Sequence, residues 1–198
     1  MWTPARGQNA ISVGDHVLLP NTPNQQFTIS VTGTDTQIAG EDFFAQIGDG
    51  GSFNGGSDSK PVFQNVDILN NTIFNGNNTG ATGDPNGSPK GSNAGHPLIW
   101  VDGTTSNTGT VSDLGVLATF TIDTTGVSSG TFPFLLTGVA DSLGGFSTTF
   151  NDAGGSPVPL TITNGTLTVQ APEPASVGIF MMAMAATLCR RRKHGISR

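Results

Sequence analysis

The side chains that could support catalytic or metal chemistry are isolated from one another in the sequence. His16, His96 and His194 form no His-x-His or His-Glu-x-x-His pattern, so no zinc site is predicted. The single cysteine, Cys189, excludes an internal disulfide framework and a cysteine-based metal site. The serines form no Gly-x-Ser-x-Gly elbow, and no glycine-rich segment has P-loop spacing. These observations favour a protein that is not an enzyme.

The carboxylates are also dispersed. Glu41 and Asp42 are adjacent in "GEDFF", but neighbouring residues of a strand point to opposite faces of a sheet. A glycosidase needs two carboxyls about 5–10 Å apart across a cleft, and no such pair is evident. We therefore interpret the acidic residues as solvated turn positions, and a secreted glycan hydrolase stays a less favoured alternative.

Oxygen-rich turns make calcium a candidate cofactor. Asp84 and Asn86 in "GDPNGS" and Asp49 in "IGDGG" supply the oxygen ligands that calcium prefers. However, no EF-hand loop is present and no glutamate follows Gly87 at a bidentate position. Because Asx turns alone explain Asp and Asn here, we predict no metal and retain Asp84 and Asn86 as weak calcium candidates.

Two features suggest surface binding. Trp100 in "PLIWVDG" could stack on a sugar ring, although a strand tryptophan more often packs in the core. Regular threonine arrays can bind ice, and three Thr-x-Thr pairs occur: Thr119/Thr121, Thr161/Thr163 and Thr166/Thr168. Because threonine is a good strand former, solvent-facing strand positions explain these pairs better than ice binding.

Alternating apolar and polar residues predict that strands position these side chains. Gly and Pro make up about a fifth of the chain, which favours many turns. In "PLTITNGTLTVQ", Asn164-Gly165 between alternating segments predicts a type I′ hairpin. No segment before residue 171 has a sustained helical period, so about nine strands forming an all-β sandwich are expected. Segments 48–60 and 75–96 are predicted as long polar loops, the second one mobile or functional.

The order of several segments resembles that of cohesin-like domains. These are "ISVGDHVLLP", "FTISVTG" and "IAGEDFFAQI" early, "LGVLATFTID" and "GTFPFLLTGV" in the middle, and "ITNGTLTV" at the end. The resemblance covers most of residues 9–170 and implies a jelly-roll β-sandwich related to carbohydrate-binding modules. It implies a carbohydrate-binding or cohesin-type scaffold role as the alternative function, without assigning any contact residue.

Charge divides the chain into two parts. Up to Gln170 the net charge is −10, whereas residues 171–198 carry +4, in agreement with the overall −6. An acidic body repels phosphate backbones, so nucleic acid is excluded as a partner.

The C-terminal segment combines three elements. Pro172, Glu173 and Pro174 precede an uncharged apolar run from Ala175 to Cys189, and Arg190, Arg191, Arg192 and Lys193 follow. A helix over this run would span about 22 Å, short of a ~30 Å hydrocarbon core, although snorkelling arginines can close the gap. The basic cluster would then stay cytoplasmic. A buried soluble helix is the alternative, but four adjacent cations after a helix without a polar face do not favour it.

This three-part order resembles the PEP-CTERM sorting signal of exported bacterial proteins. The resemblance implies that Pro172, Glu173 and Pro174 are recognised by an exosortase, which removes the helix after transient anchoring in the inner membrane. It also implies an N-terminal secretory signal, so we interpret residues 1–8 as the remnant of a signal-peptide region or a linker, with the signal encoded upstream of Met1. The sequence therefore predicts an exported, non-catalytic binding or structural protein at the cell surface or in an extracellular polysaccharide matrix.

Overall fold

The computed structural model describes residues 8–52, 56–84, 95–106, 109–139 and 145–170, with the side chains of 81–84 excepted. The proposed sorting segment 171–198 and all but the last residue of segment 1–8 lie outside these ranges. Among the described residues, no helix has the length and apolar character needed to cross a bilayer.

The described residues form seventeen strands. The first nine are β1 Asn9–Ser12, β2 Asp15–Leu18, β3 Gln25–Thr32, β4 Gln37–Ile38, β5 Gly40–Ile47, β6 Val62–Asp67, β7 Ala81–Asp84, β8 Leu98–Thr104 and β9 Val111–Ser112. The remainder are β10 Gly115–Asp123, β11 Gly130–Leu135, β12 Thr137–Val139, β13 Phe146–Ser147, β14 Thr149–Asn151, β15 Pro157–Val158, β16 Leu160–Thr163 and β17 Gly165–Val169.

Most strands belong to two sheets that form the layers of a sandwich. The five-stranded sheet has the order β16-β1-β3-β10-β6. The eight-stranded sheet has the path β15-β14-β5-β11-β17-β2, and β8 pairs with β5 and with β7. Strand β1 is parallel to β16 and β2 is parallel to β17, so the beginning and the end of the described chain are joined in both sheets. Two small ribbons, β12-β13 and β4-β9, complete the fold.

Apolar side chains between the two sheets form one continuous core. In β3, Ile29 and Val31 are buried while Thr28 and Thr32 are exposed, as the alternation in the sequence predicts. Phe120 of β10 lies at the centre of the core, and its ring centroid is 5.0 to 5.9 Å from those of Phe27, Phe43, Phe63 and Phe134. These aromatic contacts contribute to the stability of the core.

The all-β class is confirmed, but the strand count and one loop were wrong. The structure has more strands than predicted for two reasons. Short segments at the sheet edges also pair, and some predicted strands are divided by a break in pairing, as at Leu136 between β11 and β12. Strand β7 lies inside the segment 75–96 that was predicted as loop, because it pairs antiparallel with β8.

The predicted hairpin at Asn164-Gly165 is wrong. Strand β16 pairs with β1 in the five-stranded sheet, whereas β17 pairs with β11 and β2 in the other. Asn164 is therefore the point at which the chain crosses between the layers. Its Oδ1 accepts hydrogen bonds from the amides of Leu136 at 2.9 Å and Thr137 at 3.2 Å, and its Nδ2 donates to the carbonyl of Thr137. Gly165 is required by close packing, because a Cβ there would lie 1.7 Å from the carbonyl oxygen of Gly14.

Candidate binding surface

The outer face of β5 and β8 carries the residues of greatest functional interest. Along β5, Phe43, Ala45 and Ile47 belong to the sandwich core, so the alternating residues Asp42 and Phe44 face outward. Their partners across the strand pair are Asp102 and Trp100 of β8. The sheet thus presents a row of rings next to a row of carboxyls, and we call this surface the binding face.

The aromatic row consists of Trp100, Phe44 and Phe146. The centroids of Phe44 and Trp100 lie 5.8 Å apart with an interplanar angle of 6°, and those of Phe44 and Phe146 lie 4.7 Å apart at 10°. Phe44 is 8% exposed between them, whereas Phe146 is 43% exposed. The row therefore ends in an accessible aromatic side chain. Phe44 and Trp100 belong to a small apolar cluster that also includes Leu98 and Val139.

Thr148 fixes the position of Phe44. Strands β14 and β11 occupy successive parts of the same edge of β5, and neither pairs with Phe44. The Thr148 hydroxyl instead accepts the Phe44 amide hydrogen at 3.1 Å and donates to the Phe44 carbonyl at 3.0 Å. Thr148 is itself anchored through its amide on the Leu136 carbonyl at 2.8 Å. A side chain thus replaces one pair of sheet hydrogen bonds beneath the aromatic row.

The carboxyl row consists of Asp102 and Asp42. Asp102 Oδ1 accepts a 2.7 Å hydrogen bond from the indole Nε1 of Trp100. Asp42 Oδ2 accepts from Thr149 Oγ1 at 3.2 Å and Asn151 Nδ2 at 3.4 Å on β14. Burial raises the pKa of Asp102; the indole hydrogen bond opposes this, and the charge and hydrogen bond of Asp42 raise it further. The two carboxyls therefore interact directly across the strands.

Glu41 and Asp113 correct the interpretation of the acidic residues as solvated turn positions. Glu41 is 1% exposed on the core side of β5, and neither carboxyl oxygen has a hydrogen-bond partner. Burial, followed by the charges of Asp102 and Asp42, raises its pKa well above the ordinary value. Asp113 is also buried, where it accepts hydrogen bonds from the Asn9 side chain and the Thr36 amide.

The calcium candidates do not converge in the described part of the chain. Asp84 ends β7 opposite Trp100 in the register, and Asn86 lies outside the described residues. Asp49 accepts hydrogen bonds from the amides of Gly51, Ser57 and Asp58, so its oxygens already face N–H donors. Within the described ranges no three potential metal ligands cluster.

The remaining sequence candidates are spread over the fold. His16 makes a 2.8 Å hydrogen bond with the Val13 carbonyl and stacks on Phe27, whereas His96 lines a shallow cleft of about 170 Å³. The Thr-x-Thr pairs form no single array, because β10 and β16 are separated by β1 and β3 and because β17 belongs to the other sheet. The structure brings none of these residues to the binding face.

Sequence reasoning identified Trp100 but missed its neighbours. Trp100 is half-buried on the outer face and is not part of the main core, contrary to the usual placement of a strand tryptophan. A usable signal was present in "EDFFAQI", since two successive phenylalanines on a strand place one ring on each face. The pairing of Asp42 with Asp102 depends on strand register and could not be obtained from the sequence.

The two carboxyls of the binding face lack the arrangement of a glycosidase pair. Asp42 and Asp102 are neighbours on a flat sheet surface and do not face each other across a cleft, as general acid–base catalysis of glycoside cleavage requires. Exposed aromatic side chains with a polar margin are typical of recognition surfaces.

The fold is that of the cohesins. The chain is similar to the cohesin of a Clostridium thermocellum OlpC cohesin–dockerin complex, with a TM-score of 0.55, 10% identity and coverage of 87% of this chain and 99% of that one. It is similar to the sixth cohesin of Acetivibrio cellulolyticus scaffoldin B, solved with a Cel5 dockerin, with a TM-score of 0.52, 16% identity and coverage of 83% and 99%. A non-cellulosomal cohesin from Archaeoglobus fulgidus gives a TM-score of 0.51, 11% identity and coverage of 88% and 98%. No protein-family model matches the chain, and neither does any curated protein. The resemblance therefore defines the fold, as the sequence pattern predicted.

Proposed function

We propose that this chain is an exported, non-catalytic binding module that docks a protein partner on its binding face. The observation that carries the proposal is the aromatic row, which lies on the outer side of the eight-stranded sheet and ends in the 43% exposed Phe146. Aromatic residues are enriched at protein interfaces because they bury a large area at a small entropic cost.

The stacking within the row favours a protein over a polysaccharide. Sugar binding uses an open ring face, but Phe44 is enclosed between the nearly parallel rings of Trp100 and Phe146. Two of the three solved structures compared above are complexes with dockerins, which supports a protein partner for the same sandwich. Polysaccharide binding is the competing outcome of the test.

Site-directed photo-crosslinking tests the docking surface. Benzoylphenylalanine replaces Phe146 in the full chain, and the matched control replaces Thr28, which is exposed on the outer face of the five-stranded sheet. Each protein is incubated with the extracellular and cell-surface fraction of the source organism and irradiated. We expect one protein adduct from position 146 that is absent from position 28 and that is displaced by wild-type protein but not by a Phe146→Ala variant.

Two results would contradict the docking proposal. Equal adducts from both positions would mean that the binding face has no special role. Retention on extracellular polysaccharide that Phe146→Ala abolishes, without a protein adduct, would assign the face to glycan binding.

The proposal for export depends on residues 171–198. Pro172, Glu173 and Pro174 would be the recognition site for an exosortase, and the apolar run would anchor the chain transiently in the inner membrane with Arg190–Lys193 in the cytoplasm. The separation of charge supports this topology, because the body carries −10 and the segment +4. The mature domain would then reside at the cell surface or outside the cell.

Intact-mass analysis of the endogenous protein tests this topology. We expect a mature species without the apolar run in the surface or extracellular fraction. Alanine at 172, 173 and 174 should retain the full C-terminus and shift the protein to the membrane fraction. A wild-type protein that keeps Arg198 and stays in the soluble cytosolic fraction would contradict the proposal.

A further inference from the structure

We propose that the protein partner inserts a lysine or arginine side chain, flanked by an apolar side chain, between Asp42 and Asp102. The inference rests on the docking function proposed for the binding face and specifies the chemistry of the partner.

The charge distribution is the first support. Among the described residues, Lys60 is the single lysine or arginine, and it is already paired with Asp123 at 2.9 Å. Among the described residues, the side chains that donate to Asp42 and Asp102 are the neutral ones of Trp100, Thr149 and Asn151. The described part of the protein thus has no lysine or arginine that balances these two carboxyls, which favours a partner that supplies the complementary charge.

The geometry is the second support. Asp42 and Asp102 are directly opposed on β5 and β8. The opposed pair Phe44 and Trp100 lies two residues away along each strand, on the same face of the sheet. A cation placed between the carboxyls would therefore have aromatic surface beside it, where its aliphatic stem and a neighbouring apolar side chain can be buried. A guanidinium can also contact two carboxyl oxygens at once.

Proton release follows from the interaction between the two acids. Burial and the proximity of Asp42 raise the pKa of Asp102, so Asp102 holds its proton in the free protein to a higher pH than an isolated aspartate does. A bound cation stabilises the doubly charged form and expels this proton. Binding must then tighten as the pH rises through the titration range of Asp102 and weaken as the pH falls below it.

The groups around Asp42 and Asp102 do not reverse this dependence of binding on pH. Glu41 lies on the opposite side of β5, where its own burial and the nearby aspartates favour its neutral form. Thr149 and Asn151 on β14 do not ionise, and Asp84 on β7 stands opposite Trp100 in the register. In the described part of the chain, strands β5, β7, β8 and β14 contain no lysine, arginine or histidine.

Peptide selection with calorimetry tests the inference without knowledge of the natural partner. A display library of short random peptides is selected against the immobilised full chain at neutral pH, and peptides that lose binding to Phe146→Ala are synthesised. Each is measured by titration calorimetry at a series of acidic pH values, in buffers of different ionisation enthalpy, which reports protons released. The matched control peptides carry citrulline for arginine or norleucine for lysine, which removes the charge and keeps the length.

We expect the selected peptides to contain a cation beside an apolar residue. Removing that charge should weaken binding by about tenfold or more, equivalent to about 1.4 kcal/mol. Asp42→Asn and Asp102→Asn should each weaken binding similarly, only Asp102→Asn should abolish proton release, and added salt should weaken binding to the wild-type chain.

The outcomes separate this inference from the function on which it rests. Peptides that need Phe146 but bind equally well without a cation, or without proton release, would overturn the inference and leave the docking surface intact. If every selected peptide bound the Phe146→Ala protein as tightly as the wild type, the docking function itself would fail. A library that yields no cationic binder of the face also contradicts the inference.

Discussion

Glu41 of β5 lies directly opposite Gly103 of β8, and its carboxyl occupies the space into which a side chain at position 103 would extend. A Cβ at Gly103 would lie 3.6 Å from Glu41 Oε1 and 3.2 Å from Ile68 Cδ1. The glycine therefore leaves room for a carboxyl on the core side of the strand, immediately behind the binding face. This carboxyl has no hydrogen-bond partner, and burial raises its pKa well above 4.5.

The first prediction concerns Glu41→Gln. The folded protein holds the Glu41 proton more tightly than the unfolded chain does, so the wild-type free energy of unfolding falls as the pH rises from the unfolded value towards the folded one. Glutamine cannot ionise, and we expect the stability of Glu41→Gln relative to wild type to increase by up to about 1.4 kcal/mol per pH unit over this range. Urea unfolding at a series of pH values provides the measurement.

The low-pH part of the stability curves of Glu41→Gln and wild type serves as the control. Below the unfolded pKa both side chains are neutral, so the difference between them should be constant there. A difference that stays constant up to neutral pH would show that Glu41 titrates as an ordinary surface acid.

The second prediction concerns the crossing between the sheets. Asn164→Ala removes hydrogen bonds to three half-buried backbone groups of Leu136 and Thr137, and we expect a loss of about 1–3 kcal/mol in the free energy of unfolding. Asn164→Gly discriminates the crossing from a type I′ hairpin. A hairpin would tolerate glycine, whereas the crossing should lose at least as much as with alanine. Denaturant unfolding of both variants decides between them.

The failure at Asn164 shows which information the sequence contained. Alternation identified the core residues of β3 and the all-β class, because burial of one sheet face imposes a period of two. The Asn-Gly signal is local, whereas the choice between a hairpin and a crossing depends on whether β16 and β17 find better partners in β1, β11 and β2. Long-range register also decides that Asp42 meets Asp102 and that Phe44 meets Trp100. The composition of the binding face could thus be predicted in part, but its pairing could not.

The third prediction concerns Asp49. Backbone hydrogen bonds from Ser57 and Gly51 are the main cause that lowers its pKa from 3.8 to about 2. The charged carboxylate therefore stabilises the loop above the unfolded pKa, and this contribution is lost as the pH falls through about 2. We expect Asp49→Ala to accelerate amide hydrogen exchange at Ser57 and Asp58 at mildly acidic pH. Unchanged exchange, or a calcium-dependent slowing that Asp49→Ala removes, would contradict this account of the loop.

The final prediction tests the support of the aromatic row at Thr148. Thr148→Val keeps the shape of the side chain but removes the hydroxyl that serves both backbone groups of Phe44, and Thr148 and Phe44 are 2% and 8% exposed. Because two buried polar groups lose their partner, we expect a destabilisation of about 2–4 kcal/mol and faster hydrogen exchange at the Phe44 amide. Thr148→Ser keeps the hydroxyl and should retain most of the stability. Equal losses for serine and valine would assign the effect to the methyl group, and the hydroxyl bridge would then not be what holds Phe44 in the row.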